Sequence, residues 1–150
     1  MVIKMNEYMK LALLEAKKSL KFGDVPVGAI IVKNNKIISK AHNEKEKKKN
    51  ATKHAEIIAI EKACKKLKTW HLDDCDLYVT LEPCLMCCGA IIQSRIGNVY
   101  YSTESKKFGY VESINELFND KNNHIPKVYT GLEKERSVKL LTNFFKDKRG

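Results

Sequence analysis

Apolar residues return along this chain with two different periods. From Met5 to Phe22 they recur every three or four positions. Met5, Met9, Ala12, Leu13, Ala16 and Leu20 share one face, with Lys10, Lys17, Lys18 and Lys21 elsewhere, which predicts a helix. Gly23-Asp24 breaks it. Val25–Val32 is short and β-rich, Asn34-Asn35 supplies a turn, and Lys36–Ala41 completes a predicted hairpin. Residues 43–53 are polar and read as a solvated loop. Helical spacing resumes over Ala55–Leu67, through Ile57, Ile58, Ile60, Ala63, Cys64 and Leu67. Leu77–Leu81 reads as a buried strand stopped by Pro83, Leu85–Ser94 as a helix of small residues, and Val99–Ser102 as a strand. Residues 105–124 look irregular, with one helical turn expected over Ile114–Phe118. A strand at Lys127–Thr130 and a closing helix over Leu132–Lys148, carrying Leu140, Leu141, Phe144 and Phe145, follow.

Strands alternating with helices predict an α/β sandwich, a single domain over residues 1–150 with a mixed sheet covered on both faces. Hydrophobic residues make up 43% of the 150, enough for a substantial core. No apolar run approaches the roughly 18 residues of a membrane span. The segment Met1-Val2-Ile3-Lys4-Met5-Asn6-Glu7 has no apolar h-region or cleavage site, so a cytoplasmic protein without a membrane partner is expected. Neither GxGxxG nor GxxxxGK[ST] occurs, which leaves dinucleotide binding and nucleotide hydrolysis unsupported.

Charge and cysteine narrow the picture. The formal net charge is +10, and Arg95, Arg136 and Arg149 are the only arginines among 28 basic residues. A lysine-rich surface serves solubility or attracts polyanion phosphate. Bidentate guanine readout is usually an arginine task. Lysine fills four of the positions 45–49, a run that reads first as a solvated face. The five cysteines are odd in number, and Cys84, Cys87 and Cys88 crowd together while Cys64 and Cys75 stand apart. That clustering points to thiol or metal chemistry in a reducing compartment rather than to a disulfide framework.

Two short runs carry chemistry. His54-Ala55-Glu56 opens the second long helix, and Pro83-Cys84-Leu85-Met86-Cys87 opens the third. Cysteines at i and i+3 can offer two sulfurs to one ion, and one imidazole completes a three-ligand zinc site with an open fourth position. Helix starts favour thiolates through unpaired N–H groups and the macrodipole. His54 and Glu56, two residues apart, can converge only where side chains reach past a helix end. A structural zinc needs a fourth ligand and no free carboxylate, whereas a catalytic one needs a water and a base, a role that Glu56 can fill. The plainer alternative is a closed structural zinc or buried thiols. Cys88, four residues after Cys84, is a possible competing ligand but reads as a packed small residue. Cys64 and Cys75 read as core residues, His42 and His71 as surface or packing residues, and His124 as a candidate substrate contact.

The pairing of H-x-E with P-C-x-x-C is the zinc-deaminase signature. With Val25-Pro26-Val27-Gly28-Ala29, Ala41-His42-Asn43, the run Leu77-Tyr78-Val79-Thr80-Leu81-Glu82-Pro83-Cys84, Met86-Cys87 and Ser94-Arg95-Ile96, the chain resembles bacterial tRNA-specific adenosine deaminases from about Tyr8 to Tyr101. The looser remainder includes Asn123-His124 and the Phe144-Phe145 helix. The resemblance implies a cytidine deaminase-like three-layer α/β/α sandwich with a mixed five-stranded sheet, a homodimer, and one zinc per subunit. It also implies adenosine-to-inosine conversion at the wobble position of a tRNA anticodon stem-loop. It assigns His54, Cys84 and Cys87 as zinc ligands, Glu56 as the proton shuttle, and Asn43, Ala55 and Pro83 to contact with the substrate.

The chain departs from the family pattern at four places. Ser105-Lys106-Lys107-Phe108-Gly109 stands where relatives carry an Asp-x-Lys-x-Gly-like run, on a loop that helps hold the anticodon loop. Tyr110, Val111 and Glu112 replace small residues after it. Lys53 replaces a small residue before His54, and Cys88 one after Cys87. Two rival functions follow from these readings. The altered loop suits a free nucleobase or nucleoside deaminase, and the charge suits a non-enzymatic zinc-stabilised nucleic-acid-binding module.

Overall fold

A computed structural model describes residues 2–149. Its elements in chain order are α1 (Val2–Lys18, extended by a 3-10 turn over Ser19–Phe22), β1 (Gly28–Lys33), β2 (Lys36–His42), α2 (Lys45–Lys48), α3 (Ala55–Leu67), β3 (Cys75–Leu81), α4 (Leu85–Ser94), β4 (Asn98–Thr103), β5 (Lys127–Thr130) and α5 (Lys134–Arg149). The five strands form one sheet in the order β2-β1-β3-β4-β5. β1 runs antiparallel to both β2 and β3, while β3, β4 and β5 are parallel. The sheet is therefore mixed, as expected, and the parallel crossover through α4 brings the chain from the end of β3 to the start of β4.

Period-two alternation explains the layers. Ala29 and Ile31 of β1 join Leu77 and Val79 of β3 in a core shared with Ala55, Ile58, Ala59 and Ala63 of α3 and with Cys88 and Ile91 of α4. Their neighbours Ile30, Val32 and Tyr78 face the other way, against Tyr8, Met9 and Ala12 of α1. On that face Tyr78, Tyr100 and Tyr129 sit in register on β3, β4 and β5, stacked at 4.4 and 4.8 Å. Gly28 lets α1 come close: a Cβ there would lie 1.9 Å from the Ala12 carbonyl oxygen.

Three local expectations are corrected. β1 starts at Gly28 rather than Val25, because Pro26 has no N–H and the Val25 carbonyl is taken by Val27 N and the Asn43 side chain. The lysine run is not wholly loop. Lys45–Lys48 forms one helical turn, whose first N–H groups, of Glu46 and Lys47, are capped by the buried Asp24 carboxylate at 2.8 and 3.3 Å. No helical turn forms over Ile114–Phe118. The chain there closes wider loops instead, by Ile114 N to Gly109 O and Leu117 N to Tyr110 O, rather than helical bonds four residues apart.

Candidate active site

The site sits where β3 ends and α3 and α4 begin. His54 and Cys84 occupy the N-cap positions of α3 and α4, both with extended backbones. Each carbonyl already accepts the first helical bond, from Ile58 N and Cys88 N. An N-cap side chain usually satisfies orphan N–H groups of its own helix. Neither His54 nor Cys84 does so, which leaves imidazole and thiol free for another partner. Cys87, one turn into α4, is fully buried. Its Sγ and that of Cys84 each lie 3.6 Å from His54 Nδ1, and the three donor atoms fall within 4.8 Å of one another. Such a His/Cys/Cys group could hold a metal ion.

The local electrostatics follow from these distances. The hydrogen bond from Cys87 holds the Cys84 thiol down, to about 4, and His54 adds to the effect against the cost of burial. The same shared proton, with burial, pushes Cys87 far up. The bond with Cys84 raises His54, while burial and the nearby charge of Lys45 oppose the rise. Glu56 is only 4% exposed, and burial pushes its carboxyl up to about 7. The Cys84 charge adds to that rise, and the Glu56 backbone N–H, the His54 imidazole and the Cys87 thiol resist it. A carboxyl near neutrality can both take and give a proton at physiological pH.

Asn43 ties three segments together. Its Oδ1 accepts from Ala55 N at 2.8 Å, at the first residue of α3, and its Nδ2 donates to Val25 O at 3.1 Å. Its own carbonyl accepts from the buried Ser19 hydroxyl. One Nδ2 hydrogen is left over, whereas the Ala55 N–H is already committed to Asn43. The Pro83 carbonyl is also engaged, by Tyr110 N at 2.9 Å. Cys88 turns its sulfur toward that same carbonyl, at 3.6 Å, and stays out of the His54/Cys84/Cys87 group. His124 is placed away from the site. Its Nε2 lies 2.6 Å from Ile96 O, before β4 begins, and β4 puts roughly 20 Å between that end and the Pro83-Cys84 turn, called the metal turn because Cys84 belongs to the group that could hold an ion.

The residue that sequence reasoning passed over is Glu82, noticed only as part of a family-like run. It is 3% exposed and next to the metal turn. Burial works to raise its carboxyl, but hydrogen bonds from Ser113, Glu112 and Ser105 outweigh it and hold the group below the usual carboxylate range. The signal was present: an acid closing a largely buried strand needs a dense set of donors.

A profile of the MafB19-like deaminase family matches residues 3–149. A tRNA-specific adenosine deaminase of Aquifex aeolicus is 47% identical over 144 residues, 95% of this chain and 94% of that one. A solved structure from studies of A-to-I editing by tRNA:A34 deaminases superposes with a TM-score of 0.87 at 40% identity, covering 90% of this chain and 99% of that one. A guanine deaminase from Bacillus subtilis is 42% identical, with a TM-score of 0.62, over 65% of this chain and 63% of that one. Likeness to the tRNA enzymes thus runs almost end to end, in fold as in sequence, and the chain belongs to the tRNA-specific adenosine deaminase family.

Proposed function

We propose that this protein hydrolytically deaminates adenosine to inosine at the wobble position of a tRNA anticodon, using one zinc ion per subunit held by His54, Cys84 and Cys87. The observation that carries the metal is the donor spacing. Tetrahedral zinc with bonds of about 2.3 Å to sulfur and about 2.0–2.1 Å to nitrogen sets sulfur and nitrogen about 3.6 Å apart. Both sulfurs stand 3.6 Å from His54 Nδ1. Zinc bound there would act as a Lewis acid and bring the pKa of a water near 7.

The chain's own groups do the rest. Glu56 accepts the proton released from the attacking water and passes it to the purine ring nitrogen. It then carries a second proton to the departing amino group, so that ammonia leaves and a carbonyl remains. Its burial keeps water from competing for that proton. Asn43 orients the nucleoside with its remaining Nδ2 hydrogen, and Ala55 and Pro83 form the floor on which the base rests. A tRNA substrate is supported over a free base by identity kept along the whole chain: the tRNA enzyme is 47% identical over 95% of it, whereas the Bacillus subtilis guanine deaminase matches only 65% and the guanine deaminase of Nitrosomonas europaea, over 93%, is only 22% identical. We propose in addition that the protein works as a homodimer.

The test is inosine formation. Purified protein incubated with a tRNA anticodon stem-loop should convert the wobble adenosine, read by mass spectrometry of the digested RNA. Glu56→Ala should lower the rate by at least about a thousandfold, losing both the proton transfers and the orientation of the water, while one zinc per chain is retained by elemental analysis. An active Glu56→Ala protein would remove the shuttle role. Turnover of guanine or cytosine without turnover of the stem-loop would overturn the substrate.

A further inference from the structure

The Glu82 carboxylate is buried at the junction of β3 and the Pro83-Cys84 turn. Oε1 accepts from Ser105 N at 3.0 Å and from the Ser113 hydroxyl. Oε2 accepts from the N–H groups of Val111, Glu112 and Ser113 at 3.0, 2.8 and 3.0 Å. One side chain thus takes four main-chain donors and a hydroxyl from a single loop, and residues 105–113 wrap around it. Gly109 passes so close that a Cβ there would meet the carboxyl carbon at 2.2 Å. The same loop is fastened to the metal turn twice more, by the bridge between Cys84 and Gly109 and by Tyr110 N to Pro83 O. The loop therefore stands as a wall beside the His54/Cys84/Cys87 group, with Glu82 as the post it is wound on.

We infer that Glu82 is a positioning residue: it sets the wall formed by residues 105–113 at the correct distance from the metal turn, and so governs substrate binding without touching the reacting atoms. The inference rests on the deaminase reading above. An anion is required, because all five groups facing it are donors. Glutamine keeps the shape but supplies one acceptor and turns an NH2 toward donors, which strands buried N–H groups. The wall acts on the bound and the reacting substrate alike, so its loss belongs in KM rather than in kcat.

Steady-state kinetics on the anticodon stem-loop, with metal analysis of each variant, test this. Glu82→Gln should keep one metal per chain, raise KM about tenfold or more and change kcat by less than about threefold, as befits one buried charged hydrogen-bond set lost away from the chemistry. Gly109→Ala should do the same, because its methyl displaces the carboxylate. Combined with Glu82→Ala, which vacates that space, Gly109→Ala should add no further loss, whereas independent roles would multiply. Ser113→Ala removes only one donor, keeps the fold, and should raise KM about threefold with kcat unchanged. The inference is overturned if Glu82→Gln keeps a normal KM, or if metal and kcat fall together at constant KM. Should Glu82→Gln not fold, an unchanged KM in Ser113→Ala overturns it. Failure of the wild-type protein to form inosine strikes the deaminase reading instead, so the two failures are distinguishable.

Discussion

At Glu56 the cost of burying a carboxyl and the need for a proton carrier meet in one side chain. Burial raises it from its usual 4.5 to about 7. Between those values the folded chain holds a proton that the unfolded chain has already released, so this group makes stability fall as pH rises across that window. Above about pH 7 its penalty is constant, and below about 4.5 it vanishes. Glu56→Gln is neutral throughout and escapes the penalty. In chelator-treated protein the variant should therefore gain on wild type as pH rises from 4.5 to 7, by of order 3 kcal/mol in all. Urea denaturation of both proteins at matched pH values measures the gap. A constant difference across the range would mean that Glu56 is not held near neutrality by its surroundings. The convergence of His54 and Glu56 was legible because two residues at a helix mouth have few other ways to meet. The bracing by Asn43 and Glu82 was not, since their partners lie 12 to 31 positions away along the chain.

Helices and strands were legible wherever burial imposes a period. α3 and α4 fall where the apolar spacing puts them, because each buries one consistent face, and the exposed edge strand β5 falls where its β-branched and aromatic residues put it. Departures occur where hydrogen bonds rather than apolar contacts decide the backbone: the delayed start of β1, the capped turn α2, and the missing helical turn over Ile114–Phe118. Close packing of α1 on β1 gives a prediction at this scale. Ala12 and Ala16 are wholly buried, and a Gly28 methyl would lie 1.9 Å from the Ala12 carbonyl oxygen and 2.6 Å from Ala16 N. Backbone atoms cannot yield as a side-chain tip does, so Gly28→Ala must push the helix off the sheet. We expect a loss of about 3 kcal/mol, at the upper end of the usual cost of overpacking. For a chain of this size that is a fall in Tm of roughly 6–12 °C by calorimetry. An unchanged Tm would show that α1 slides at no cost.

For the molecule as a whole, the question is whether the charge of +10 serves solubility or recognition. The turn α2 separates the two. Asp24 fixes it between Asn43 and His54, and the charge of Lys45 is felt at His54. Lys47 and Lys48 share Glu44 at 4.0 Å, whereas Lys45 and Lys49 have no carboxylate partner among the described residues. Two unneutralised ammonium groups on a rigid turn beside the site are suited to RNA phosphates. If each neutralises one phosphate of a single-stranded loop, releasing its counterions, the slope of log affinity against log salt changes by about 0.7 per contact. Lys45→Glu with Lys49→Glu should then flatten that slope by about 1.4 and weaken stem-loop binding at low salt by about tenfold or more. The penalty should shrink as salt rises. The fold and metal content should stay as they are, because neither lysine supports the turn. Fluorescence anisotropy with a labelled stem-loop across a salt series gives the slope directly. A slope identical to wild type would mean that these lysines only keep the surface wet, and that the polyanion is held by cations elsewhere on the molecule.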